Sequence, residues 1–199
     1  MQLLGFPRME LFADWVQSTD ERRGWIVARS VDVRGRVVGF AHRALACDED
    51  GPIALGRGVI RASANAAMLA GGAAYPLSYA SLEGDVRRQL IAIAREARDA
   101  GRGVWSDDAT RRFPLRGIGS IGARGALVFP KLFRRCVAFC REGAEPSARA
   151  FVAWLRGAAE HDDLVEVGRR RVRLSALLTA GRGVVRCEGD PMGMVFVPR

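Results

Sequence analysis

The stretch Asp32-Val33-Arg34-Gly35-Arg36 places two guanidinium groups on either side of a glycine, just ahead of the apolar run Val37-Val38-Gly39-Phe40. A guanidinium offers its donors in a rigid fork, stays charged at any useful pH and matches the geometry of a phosphate. Arginines held at such a turn could grip a phosphate, or stabilise charge developing on one during phosphoryl transfer. The same residues also read as the tip of a β-hairpin with solvated arginines. On these residues alone both readings stand.

Other residue types that carry chemistry are sparse. The four cysteines, Cys47, Cys136, Cys140 and Cys187, include no Cys-x-x-Cys pair. Cys136 and Cys140 lie four apart in an apolar helical pattern, which reads as core rather than as metal ligation. The two histidines, His42 and His161, lie far apart without ligand spacing, and His161 stands in Glu-His-Asp-Asp, which reads as a solvated turn. No zinc site is expected. Glycines 117, 119 and 122 fit a G-x-G-x-x-G spacing, but with no strand before and no helix after, the stretch reads as a loop.

The elements that must position these residues follow from periodicity and punctuation. Residues 25–31 and 36–46 read as two strands joined by the Asp32–Gly35 turn, and 47–58 as an acidic, then glycine-rich loop. Ser63 caps a short helix over 64–70 that Gly71-Gly72 ends. Over 83–100, Val86, Leu90, Ile93 or Ala94 and Ala97 recur at three or four, which predicts a helix stopped by Gly101, with Trp105 packed behind it. The polar, glycine-rich stretch after 106 marks the best boundary. It divides the chain into a first unit at 1–108, a linker at 109–125 and a second α+β unit at 126–199. In the second unit, 126–129 reads as a strand. Pro130 opens a helix with Leu132, Cys136, Val137 and Cys140 on one face, and Ser147 caps another. Short strands follow around 164–167, 172–174, 184–187 and 194–197, and Arg169-Arg170-Arg171 reads as a solvated hairpin tip.

Composition bounds the function classes. Of 199 residues 49% are hydrophobic and 27% charged, a globular balance rather than a disordered one. No apolar stretch is long enough to span a membrane, and the first residues lack the pattern of an export signal, so the expected location is cytoplasmic. The net charge of +9 points to anionic partners such as nucleic acid. All basic residues but Lys131 are arginine, a skew that GC-rich coding produces by itself. The charge is uneven: residues 1–106 carry 14 basic and 12 acidic groups, whereas 107–199 carry 17 and 10.

Residues 65–105 carry a more specific pattern. Asn65, Gly72, Ala74-Tyr75, Arg95-Glu96-Ala97-Arg98 and Gly101-Arg102-Gly103-Val104-Trp105 resemble, in order and spacing, the closing half of a thermonuclease (staphylococcal-nuclease-like) domain. Upstream, GWIVARSVDVRGRVVGF resembles that family's hairpin with Asp-x-x-Gly-Arg. The resemblance covers residues 24–106. It implies an α+β chain whose first unit is a partial OB-type β-barrel with packed helices, followed by an α+β extension to which it assigns no activity. It also implies Ca²⁺-dependent hydrolysis of phosphodiester bonds in DNA or RNA, with Arg36 in the place of the arginine that touches the scissile phosphate. Arg34 and Tyr75 fall at positions near the nucleotide.

The family pairs that arginine with a second arginine, a glutamate that handles the attacking water and aspartates that bind Ca²⁺. The one stretch available for these is QLLGFPRME at 2–10, which puts Glu10 in the glutamate position but Gln2 and Pro7 where an arginine and an aspartate are needed. In a second placement QLLGF ends a helix after the catalytic turn, and the motif lies before Met1. Either placement leaves the first barrel strands incomplete and identifies no metal ligand. Three functions are therefore expected: a thermonuclease-like phosphodiesterase that is inactive or weak as this chain, a non-catalytic nucleic-acid-binding OB-type module, or a scaffold whose basic tail binds a protein.

Overall fold

The computed structural model describes residues 10–11, 16–17, 23–32, 35–45, 51–122, 124–142 and 145–198. In chain order its elements are β1 (Glu10–Leu11), β2 (Val16–Gln17), β3 (Trp25–Val31), β4 (Val37–His42), α1 (Arg57–Arg61), α2 (Ala64–Ala70), β5 (Ser78–Tyr79), α3 (Gly84–Asp99), β6 (Arg112–Pro114), α4 (Pro130–Arg141), α5 (Ala148–Gly157), β7 (Leu164–Val167), β8 (Arg170–Arg173), β9 (Leu178–Gly181), β10 (Val184–Cys187) and β11 (Met194–Phe196). The chain is α+β. Its sheets are small and mostly antiparallel: β1-β2, β3-β4, β6-β10-β9 and β5-β11-β7-β8, the last with a parallel β5-β11 pair. Among the described residues no sheet closes into a barrel.

In the first half, β3 and β4 form the expected hairpin, with Val27 opposite Phe40 and a register shift between Ala28 and Ser30. Phe40 is buried with Ile60 of α1 and Val86 of α3, and this small apolar cluster fixes the hairpin to the helices. Ser63 caps α2 by accepting a hydrogen bond from the Ala66 N–H at 3.1 Å. Helix α3 buries Val86, Ile91, Ile93, Ala94 and Ala97, so the predicted stripe is present and slightly wider than read. Trp105 packs with Leu90 against the cluster of Ala66, Leu69, Ile93 and Ala94.

The turns that end α2 and α3 meet backbone to backbone. Gly72 (φ +67°) and Gly103 (φ +53°) face each other so closely that a Cβ on Gly103 would lie 2.2 Å from the Gly72 carbonyl oxygen. That approach lets the Val104 N–H donate to the Gly72 carbonyl at 2.9 Å. The two helices are thus locked at their C-terminal ends by a contact that no side chain can enter.

The second half has the larger core, in which Phe113, Phe129, Phe139, Phe151, Leu132, Leu155 and Phe196 are almost wholly buried. Helix α4 places Leu132, Cys136 and Phe139 inside, with Val137 and Cys140 half-buried at the margin. Burial pushes the Cys136 thiol far above its usual range and that of Cys187 up to about 11, as befits core cysteines.

Four expectations are corrected. Residues 126–129 form no strand: Ala126 and Leu127 make isolated bridges to Ile121 and Asp108, while Val128 and Phe129 fill the core. The stretch 109–125 is more than a spacer, since Phe113, Leu115 and Ile121 are buried and β6 pairs with β10. The two units interlock, with β11 pairing to β5 and Met192 packing beside Ile93 of α3. The Glu-His-Asp-Asp turn is solvated only at Glu160, with His161 half-buried and both aspartates inside. Asp162 and Asp163 are buried because donors meet both: Ser175 N–H and Oγ–H bond Asp162 at 2.9 and 2.6 Å, and Lys131 and Arg135 bond Asp163 at 2.8–3.0 Å. Burial alone would raise the Asp163 carboxyl, but the hydrogen bonds and charges of Arg135 and Lys131 together outweigh it and hold the group below its ordinary value. His161 stacks on Trp154 with ring centroids 3.8 Å apart.

The glycine contact gives a sharp stability contrast. Gly101 also has a positive φ (+61°) but open space around it, so Gly101→Ala is expected to cost only the left-handed backbone strain, about 1–2 kcal/mol. Gly103→Ala adds a clash with backbone that cannot rotate away, and a loss beyond about 3 kcal/mol is expected. Denaturant unfolding of both variants checks this, and equal losses would contradict it.

Candidate nucleic-acid interface

The hairpin tip is built by hydrogen bonds within its own turn. Asp32 N–H donates to the Arg36 carbonyl at 2.8 Å, and Gly35 N–H donates to the Asp32 carbonyl at 2.9 Å. The Asp32 carboxylate also accepts from the Arg36 backbone N–H at 3.0 Å and from Arg36 Nε at 2.7 Å, and Arg36 Nη2 stands 2.6 Å from Asp32 Oδ2. One edge of the guanidinium is thereby pinned by Asp32, and the side chain is 72% exposed. The hydrogen bond that Arg36 donates to Asp32, and then the charge of that carboxylate, raise the already high Arg36 pKa. Pinning has two consequences for an anion: the direction of the fork is fixed in advance, and the Asp32 carboxylate already offsets part of its charge. Chemically the arrangement is a pre-oriented donor with one edge free, suited to one phosphate oxygen pair.

Behind the tip, the hairpin is tied down by α2. The Asn65 carboxamide accepts from Ala41 N–H at 3.0 Å and donates to the Gly39 carbonyl at 3.4 Å. Arg29 of β3 reaches Glu83, just before α3, in an exposed ion pair. Clefts of about 820 and 530 Å³ lie beside β3, and both are lined by Val27, Arg29, Leu55 and Glu83. The hairpin also leaves Ile26, Val31, Val37 and Val38 exposed, at 53–69%. His42 is buried with neither ring nitrogen bonded among the described residues, and burial lowers its pKa, which favours the neutral ring.

Tyr75 is placed differently from Arg36. Its ring meets Trp105 edge-on at 4.8 Å and Phe129 at 5.8 Å, and its hydroxyl donates to Asp108 Oδ1 at 2.7 Å. Burial, and then the bond to Asp108, raise its pKa well above the ordinary tyrosine value. Asp108 also accepts from the Thr110 N–H and hydroxyl, and Thr110 Oγ1 in turn accepts from the Phe129 N–H at 2.8 Å. Tyr75 therefore joins the two halves of the chain, and its hydroxyl is committed. Glu10 lies on β1, opposite Gln17. Arg34 lies outside the described residues. Among the described residues nothing links Arg36 to Tyr75, and no group of three or more His, Cys, Asp or Glu side chains is placed to hold a metal ion. No helix among them is long and apolar enough to cross a membrane.

Sequence reasoning missed the partner Asp32 as the residue that aims Arg36, although the i,i+4 spacing across a four-residue turn was a visible signal. It also missed Asp108, whose role depends on a fold-back that no local pattern announces. Comparison of the chain with family models, with curated proteins and with solved structures gave no match.

Tyr75→Phe separates the two roles of that ring. Removing the hydroxyl costs a hydrogen bond to a carboxylate, so a stability loss of about 1.5–3 kcal/mol is expected, with affinity for single-stranded DNA unchanged. Thermal unfolding and a binding titration check this. A weakened affinity at unchanged stability would return Tyr75 to the nucleotide.

Proposed function

We propose that this chain binds the phosphate backbone of nucleic acid through a thermonuclease-like, OB-type first unit, and hydrolyses it weakly or not at all. The observation that carries the reading is Arg36: exposed, pinned along one edge by Asp32, and without a partner along the other among the described residues. The sequence resemblance over 24–106 agrees with it. The exposed apolar side chains Ile26, Val31 and Val37, which the strand pairing puts on the face of the hairpin opposite Phe40, also support the OB-type reading, because strands of a barrel turn one face towards an interior. The positive charge of the chain supports an anionic partner.

Weak or absent hydrolysis follows from the chemistry required. Thermonuclease-like cleavage needs a metal ion, a positioned water and paired cations acting together, and losses within such a set are strongly non-additive. Ca²⁺ is the cofactor the resemblance implies. The described residues offer no group to hold it, so no step is assigned to it. Glu10 is the one acid the sequence resemblance proposes.

Salt titration of single-stranded DNA binding tests the proposal. Affinity is expected to fall steeply with salt as counterions are released, and Arg36→Ala is expected to flatten the logarithmic slope by about 0.7. With Ca²⁺ added, turnover is expected to be no higher than that of Arg36→Ala. Salt-independent binding, or an affinity unchanged in the variant, would reduce Arg36 to a turn residue. Turnover well above the variant would show an assembled catalytic set.

A further inference from the structure

We propose a second anion site, for a phosphate group, in the cleft between α1 and α3, formed by Arg57, Arg61 and Arg88. It does not rest on the hairpin reading. The cleft has a volume of about 380 Å³ and is lined by these three arginines with Asp85, Gln89 and Ala92. Its walls are held in place because Ile60 of α1 is fully buried against Val86 of α3. Arg57 and Arg61 lie one turn apart on the same face of α1, where like charges repel. Among the described residues neither has an ion-pair partner, while Arg88 is bonded to Asp85, one turn earlier on α3. Three guanidinium groups thus face one carboxylate, and that carboxylate already serves one of them.

A ligand that answers this arrangement must be anionic and must accept from several donors on two helices at once. A tetrahedral phosphate does both, and arginine forks suit it better than they suit a point charge. Gln89 adds a polar side chain to the lining, its amide oxygen buried and without a hydrogen-bond partner among the described residues. The phosphate could come from a nucleic-acid backbone or from a small phosphorylated compound, and the experiment separates the two.

The full chain and its Arg57→Glu/Arg61→Glu variant are titrated with sodium pyrophosphate by calorimetry, and with a single-stranded DNA oligonucleotide by fluorescence anisotropy. The two arginines are exposed and have no ion-pair partner among the described residues, so the melting temperature is expected to stay the same or rise. Arg57→Gln/Arg61→Gln serves as a milder pair should the reversal disturb folding. A loss of about tenfold or more in pyrophosphate affinity is expected if the ligand is a small phosphate compound. A loss confined to the oligonucleotide places a nucleic-acid backbone in the cleft. Wild-type affinity for both ligands in the folded variants, or no binding of either by the wild type, overturns the site. Arg36→Ala, run in parallel, isolates the hairpin: a loss there beside an unchanged double variant upholds the hairpin reading and removes this one.

Discussion

Asn65, the second residue of α2, does for β4 what a neighbouring strand would do. Its carboxamide accepts from Ala41 N–H and donates to the Gly39 carbonyl, so one side chain satisfies both polar groups that β4 turns towards the helices. An edge of strand left bare beside buried helices would cost the desolvation of each group. With the amide in place, Phe40 can be driven between Ile60 and Val86, and the hairpin keeps a fixed attitude to α3. The position of Arg36 at the far end of that hairpin is inherited from this docking.

The electrostatic design of the tip repeats a motif seen elsewhere in the chain. Asp32 aims Arg36, Asp85 engages Arg88, and Asp190 receives Arg98 at 3.1 Å. Exposed pairs of this kind add little stability, on the order of 0–1 kcal/mol. Their effect is to restrict where a long side chain points. Lys131 and Arg135 at buried Asp163 are the contrasting case: the carboxylate is removed from water, both cations are needed there, and the Lys131 ammonium lies 5.1 Å from the Phe196 ring centre. Those charges belong to the architecture, whereas the exposed arginines remain available to a ligand.

The hairpin and the long helix were legible because each rests on local signals. Asp32 and Gly35 close the turn within four residues, Ser63 and Ser147 cap their helices, and the apolar stripe of α3 has the helical period. Elements held by distant partners were not legible. Strand β5 is two residues long and exists because β11 passes beside it, β6 contains Pro114, and β9 contains Ala180 and Gly181, all poor local evidence for a strand. Of the candidate site, the turn that carries Arg36 could be read locally, but the surroundings of Tyr75 could not. Its order and spacing fitted a nucleotide contact, while the chain's fold-back supplies Asp108, Trp105 and Phe129 as its actual neighbours.

The claim that the hairpin presents Arg36 to a phosphate is tested most directly at the guanidinium itself, by following arginine Nε–Hε resonances in heteronuclear NMR while single-stranded DNA is added. The Arg36 Nε–H, which donates to Asp32 at 2.7 Å in the free protein, is predicted to shift progressively with DNA and to return when salt displaces it. An unmoved Arg36 signal in a sample where other arginine signals report saturated binding would contradict the account.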